Sequence, residues 1–476
     1  MTVTAIMGLT AVIPLIPALP SLFALCGWLL MTLIPLLLTL RSRSRRHLIL
    51  RFCWRQRIGL AVIGGLSLSL LLLLTGDPVP VSSSPGGPGP RTATDWPEYR
   101  GGLSRTGTLP GSPGPRHGGT FWTGGHGYTF YATPAVDGDR VYGSGFRGNS
   151  GRIFCWDQTT GDLLWSAAPS GYEASISAPV LAGNLLVIGE GLHQTTTGRV
   201  LALDLRPGHE GDTVWEFPTR SHVEATPTIH AGRVFAAAGD DGLYCLRLGR
   251  DVKPQDRVLW HTDGSRCPDA EAALPVIENQ VVAGLGRDGN AICSLDIDTG
   301  RELARHETLY PVFSPAASDR QRIVFGTASG DYRNSGAGPG QVHCLTAATL
   351  EHLWSFDTHS SVLDAVAIHA GVVYAGTGDG RLLALQLADG VQIAEQSAGG
   401  PVVTAPAVTD QAVFVITEDG LVSCFTSDTL TTVWQVRLPG AGQCFSSVTI
   451  AGNRLFVGTS GGFFALGRPS HTRESP

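Results

Sequence analysis

Residues 153–165 read Ile-Phe-Cys-Trp-Asp-Gln-Thr-Thr-Gly-Asp-Leu-Leu-Trp. A short apolar run with a small residue near its end meets an Asp-x-x-Thr-Gly turn, and a second run closes on Trp165. The Asp side chain can cap its own backbone and Gly accepts positive φ, so the stretch spells two strands joined by a tight turn. The pattern returns as Val200-Leu-Ala-Leu-Asp204 with Trp215, and as Ala291-Ile-Cys-Ser-Leu-Asp296-Ile-Asp-Thr-Gly300. It returns in reduced form before Trp260, Trp354 and Trp434. Recurrence at a fixed period marks an architecture rather than a catalytic motif.

The units begin at Thr133-Pro134, Ala178-Pro179, Thr226-Pro227, Leu274-Pro275, Ser314-Pro315, Ala365-Val366, Ala405-Pro406 and Ser447-Val448, spaced 40 to 51 residues apart. That length suits four antiparallel strands per unit and an all-β, eight-bladed propeller. The last unit stops near Gly467, too early for a fourth strand, whereas Gly119-Thr-Phe-Trp122 precedes the first start as a spare outer strand. The N-terminal strand is therefore expected to close the last blade and remove an open sheet edge. Trp122, Trp165, Trp215, Trp260, Trp354 and Trp434 are expected to dock between blades, each indole N–H bonded to backbone. Blades four and six have Ala304 and Ala394 instead.

The composition agrees. Gly numbers 61 of 476 residues, Lys and Glu are sparse, and the net charge of −6 offers no footprint for nucleic acid. Cys155, Cys245, Cys293, Cys344 and Cys424 align at one repeat position that is Ala202, Ala384 and Ala465 elsewhere. A position restricted to Cys and Ala reads as a tight core slot holding free thiols, because equivalent sites of different blades lie too far apart to bridge. Cys267 and Cys444 fall outside the slot, in blades on opposite sides of the ring.

Upstream, residues 1–40 form an apolar membrane segment broken by Pro14, Pro17, Pro20 and Pro35, which leaves one or two passes open. Residues 41–57 are Arg-rich, and residues 58–76 contain an uncharged apolar run that as a helix rises roughly 27 Å, enough to span a bilayer. Leu72-Leu-Leu-Thr75-Gly76 is a poor cleavage site, which favours retained transmembrane helices over a signal peptide. Arginine enrichment places residues 41–57 in the cytoplasm and everything after Gly76 outside it. The expectation is a protein of the bacterial inner membrane whose propeller faces the periplasm. Residues 77–95 form a Pro/Gly/Ser linker, residues 96–468 the propeller, and residues 469–476 a disordered tail.

The repeat resembles the tryptophan-docking repeat of the pyrroloquinoline-quinone-like propeller superfamily, Ala-x-Asp-x-x-Thr-Gly-x-x-x-Trp, with Cys155 for its Ala. Asp95-Trp-Pro-Glu-Tyr-Arg-Gly101 likewise resembles the opening of many such domains. The resemblance implies a propeller related either to quinone-dependent dehydrogenases or to the lipoprotein scaffold of the outer-membrane β-barrel assembly machinery. The dehydrogenases bind a trianionic quinone with Ca²⁺, using vicinal cysteines or a basic pocket. This chain has no adjacent cysteines and no concentration of Arg or Lys near its unit starts. The expectation is accordingly a non-enzyme without cofactor or metal, binding protein partners at the envelope as a scaffold or sensor; the alternative is a quinone- or metal-dependent oxidoreductase. Candidate contacts are the residues just before unit starts, Glu173, His222, Glu224, Asp269, Glu271 and Asp364, which put five carboxylates and a histidine where mostly small or apolar residues stand elsewhere. Surface carboxylates are ordinarily just solvated; clustered at a channel mouth they suit a cation or a basic peptide. The long loop 329–341, with Asp331, Tyr332, Arg333 and Asn334, is a second candidate surface.

Overall fold

The computed structural model describes residues 95–334 and 337–467. The expected membrane segments, most of the linker and the tail lie outside the described residues. Among the described residues no helix is long and apolar enough to cross a membrane.

Eight four-stranded antiparallel sheets, each ordered from the inside out, make the eight blades. Blades one to seven occupy residues 135–167, 180–219, 228–262, 276–307, 317–357, 367–397 and 407–437. Blade eight takes three strands from residues 449–467 and its outer strand from Thr120–Gly124, with Trp122 opposite Ala465 and Thr123 opposite Phe464. The closure is aromatic. Trp122 stacks on Phe463 at 5.7 Å between centroids, and Phe463 stacks in turn on Trp156 of blade one at 4.7 Å.

The docking tryptophans explain the turn glycines. Trp122 lies over Gly161 and Trp260 over Gly300, each in the Asp-x-x-Thr-Gly turn of the next blade, whereas Trp434, facing the closing blade, lies against Gly118. Gly300, at φ +68°, would bring a Cβ within 2.6 Å of the Trp260 ring, so only a residue without one fits. Indole N–H groups donate to the backbone carbonyls of Gln158, Leu248, Ile297, Leu387 and Pro115 from Trp122, Trp215, Trp260, Trp354 and Trp434. Trp165 departs from the expected pattern: its buried indole nitrogen has no partner.

One alignment needs correction. In seven blades the slot residue stands opposite the docking position with a bulge directly after it, as in Cys344–Trp354 and Ala384–Ala394. In blade four the bulge follows Ser294, which pairs with Ala304. Ser294 therefore fills the slot, two residues before the turn Asp296, and Cys293 is one residue out of register. A one-residue offset turns a strand side chain to the other face of its sheet. Cys293 accordingly faces blade three, where its sulfur lies 3.9 Å from that of Cys267. Equivalent slots do stay apart, but these two cysteines, read as unrelated from the repeat, are neighbours. All seven described cysteines are buried free thiols.

The segment before the first blade does more than lead into it. Trp96 exchanges backbone hydrogen bonds with Val136 of blade one, and Pro97 accepts from Leu181 of blade two. Leu103, Ser104, Thr106 and Gly107 accept from the innermost strands of blades four, five, six and seven. Arg105 donates to Thr228 of blade three, and Ser112 to Gly452 of blade eight. This strap thus sits inside the ring of innermost strands, touches all eight blades and plugs the central channel. Its two arginines are fully buried with left-handed backbones, φ 61° at Arg100 and 53° at Arg105. Arg100 donates to the carbonyls of Pro406 and Val366. Gly107 makes room for that guanidinium, since a Cβ there would lie 2.0 Å from it. The Trp-Pro-x-aromatic-Arg-Gly opening therefore reads as the plug.

Candidate functional site

Above the plug a cavity of about 680 Å³ opens between the segments that enter the blades and the hairpins that project from them. Its walls differ in chemistry. On one side Tyr131, Tyr332 and Phe445 form an aromatic crescent, with Phe445 4.8 Å from Tyr131 and 5.7 Å from Tyr332 between centroids. Elsewhere the lining includes His193, Glu224, Glu271 and, beside strap residue Tyr99, Asp364.

Four of the six residues singled out in the sequence gather in one corner. His222 Nε2 lies 2.9 Å from a Glu271 carboxylate oxygen, and Nδ1 of His193 lies 2.5 Å from the same oxygen. The His193 backbone N–H donates to Glu224, and the Arg287 N–H donates to Asp269 at 2.5 Å. Burial, reinforced by the neighbouring Glu271, pushes Glu224 up to about 7 and Asp269 up to about 6. Burial would raise Glu271 as well, but the two imidazoles outweigh it and hold that carboxyl below its ordinary range. His222 is raised: burial opposes its charge, and the Glu271 hydrogen bond with the surrounding carboxylates overcomes that. The hydrogen bond to Glu271 raises His193 too.

The other two residues go elsewhere. Glu173 is exposed, bridges Ser150 and does not line the cavity. Asp364 lines it but has its oxygens occupied: Tyr99 Oη and Ser447 Oγ donate at 2.5 Å, and the Ala405 and Ala365 N–H groups donate at 3.0 and 2.7 Å. It ties the plug to the entries of blades six, seven and eight. Loop 329–341, proposed as a separate surface, instead supplies Asp331, Tyr332 and Arg333 to this same cavity. Sequence reasoning missed His193 and, of the aromatic crescent, Tyr131 and Phe445. His193 sits in the hairpin between Leu185–Glu190 and Gly198–Asp204, longer than a tight turn requires, and that excess length was its one available signal.

The family model described as outer membrane protein assembly factor BamB matches residues 112–210, 195–328, 313–393 and 338–470. No curated protein matches the sequence. Among solved structures, the computationally designed Ika8 protein aligns at 19% identity and TM-score 0.59, covering 74% of this chain and all of its own. BamB from Moraxella catarrhalis aligns at 16% identity and TM-score 0.55, covering 72% of this chain and 96% of its own. Quinohemoprotein alcohol dehydrogenase from Comamonas testosteroni aligns at 13% identity and TM-score 0.62, covering 80% and 82%. At these identities the likeness is one of fold, shared by an assembly factor and an oxidoreductase.

The cavity does not fit the quinone that the fold brings to mind. A trianion needs several unopposed cations, but of the two arginines in the lining Arg287 is paired with Asp331 at 2.7 Å, which leaves Arg333 alone. Glu224, Glu271 and Asp364 would face the anion from the remaining wall.

Proposed function

We infer the function from one premise: the chain belongs to the family described as outer membrane protein assembly factor BamB. Its propeller is a non-catalytic binding scaffold, anchored in the bacterial inner membrane by its N-terminal helices and presented to the periplasm. The open mouth of the plugged channel receives a segment of a protein partner. The observation that carries this reading is the two-sided lining, with aromatic rings at Tyr131, Tyr332 and Phe445 facing Glu224 and Glu271. That chemistry suits a peptide with a basic side chain flanked by apolar ones, whose cation the carboxylates take while the rings cover its neighbours.

A photo-crosslinking residue placed at Phe445 of the full-length protein in intact cells tests it. A discrete protein adduct is expected, weakened at least about fivefold by Glu224→Gln with Glu271→Gln, as for the loss of close charge contacts. Absence of any adduct, together with stoichiometric uptake of pyrroloquinoline quinone and Ca²⁺ by the purified protein, would establish the oxidoreductase reading instead. For the anchor, the chain should stay in the pellet after alkaline carbonate washing of membranes, and its propeller should be cut by protease added to spheroplasts.

A further inference from the structure

We propose that His193, His222 and Glu271 form a binding site for a first-row divalent transition-metal ion. Three chain segments from successive blades meet here: the blade-two hairpin, the entry to blade three and the entry to blade four. One nitrogen of each imidazole and one carboxylate oxygen lie within 4.8 Å of one another. Two imidazoles and a carboxylate suit Zn²⁺, Ni²⁺, Cu²⁺ or Fe²⁺ rather than Ca²⁺ or Mg²⁺, which take oxygen ligands. Three protein ligands leave a coordination position open toward the cavity.

Two further features are those of a metal site rather than a solvated rim. The first is the support around His222, which is only 3% exposed. Its ring is held against glycine backbones: a Cβ on Gly239 would lie 2.7 Å from the ring, and one on Gly191 would lie 3.0 Å from the His222 Cβ. Its Nδ1 lies 3.2 Å from Ser221 Oγ. With that nitrogen donating to the hydroxyl, Nε2 is left as a ligand, the second partner that metal-bound histidines ordinarily have. The second feature is charge. Among the described residues neither Glu224 nor Glu271 has an Arg or Lys in ion-pair contact, although both are mostly withdrawn from water. A carboxylate pair whose only basic partners are the two imidazoles that would themselves be ligands lowers the cost of bringing a metal ion in. The present arrangement holds the pocket together through hydrogen bonds from both imidazoles to Glu271; the ion would replace those hydrogens and draw on the same three atoms.

A bound ion and a partner's basic side chain would compete for Glu271, but the metal test needs only this chain, so it stands or falls apart from the partner. Full-length protein stripped with a chelator is titrated with Zn²⁺ against a chromogenic competitor, and its metal content is measured after dialysis. One ion per chain is expected above any background. His222→Ala and Glu271→Gln should each weaken it more than about tenfold, and His359→Ala, in an exposed turn, should leave it unchanged. His193→Ala, at a half-exposed position that tolerates substitution, serves as a second ligand variant should His222→Ala fail to fold. No ion beyond background, or undiminished binding in folded His193→Ala and Glu271→Gln proteins, overturns the proposal.

Discussion

Asp364 was read in the sequence as part of an acidic rim, and its neighbours make it a latch. Four donors converge on its two oxygens, from the plug and from three blade entries. Asp364→Ala strands the Tyr99 and Ser447 hydroxyls and leaves the Ala405 N–H only Ser447 Oγ, so about 3 kcal/mol of stability should be lost. Urea unfolding checks this, and a loss under about 0.5 kcal/mol would mean that water replaces the carboxylate. The same scale governs the thiols. Cys267 and Cys293 are the described pair with sulfurs 3.9 Å apart. Diamide, which takes up the two thiol hydrogens, should link these two before any others, seen as a loss of two mass units on the joined peptides. Labelling of both cysteines after oxidation and denaturation would contradict it. Cys267 lies on the segment that carries Asp269 and Glu271, so a link there would also restrain one wall of the cavity.

Among the elements, the strand Gln341–Thr346 carries a histidine the repeat does not require. His343 is buried and stacked on Phe325 at 5.2 Å, with neither ring nitrogen hydrogen-bonded. Burial, with His306 and His352 nearby, pushes it down to about 4. A histidine ordinarily titrates near 6.5, so between pH 6.5 and 4 the unfolded chain binds a proton that the folded chain refuses. Its contribution to stability is whole above about pH 6.5 and declines as the pH falls toward 4. His343→Phe should therefore reduce the difference in Tm between pH 7 and pH 5 by roughly 3 °C; an unchanged difference would place the acid sensitivity elsewhere. The strap is the other element with a particular duty. It has almost no regular structure, and its order comes from backbone hydrogen bonds offered by the innermost strands of the blades and from two arginines packed inside the channel.

At the scale of the whole ring, closure is the decisive feature. Deleting Thr120–Gly124 would bare the strand Gly462–Gly467 along its edge and expose Phe463, Phe456 and Trp156. The shortened protein should self-associate on size-exclusion chromatography, and a monomer of unchanged Tm would show that closure by this strand is dispensable. The ring itself was legible because its information is local and repeated. Turn chemistry at Asp157–Gly161, the docking tryptophans and the missing last strand each follow from short stretches and their spacing. The site was legible only in part. His222, Glu224 and Glu271 stood out because charge replaced small residues at repeat positions, but that same comparison could not tell the latch Asp364 from the open carboxylates. It also missed His193, which has no counterpart in the other blades. The amino-acid order determined how many blades form and which strand joins the ends, since backbone pairing and side-chain alternation are set residue by residue. The tertiary structure alone decided which charges face each other, that Cys293 turns toward Cys267, and that the chain's entry segment fills the channel. Those outcomes depend on distances between segments far apart along the chain, which ring closure fixes and no local pattern records.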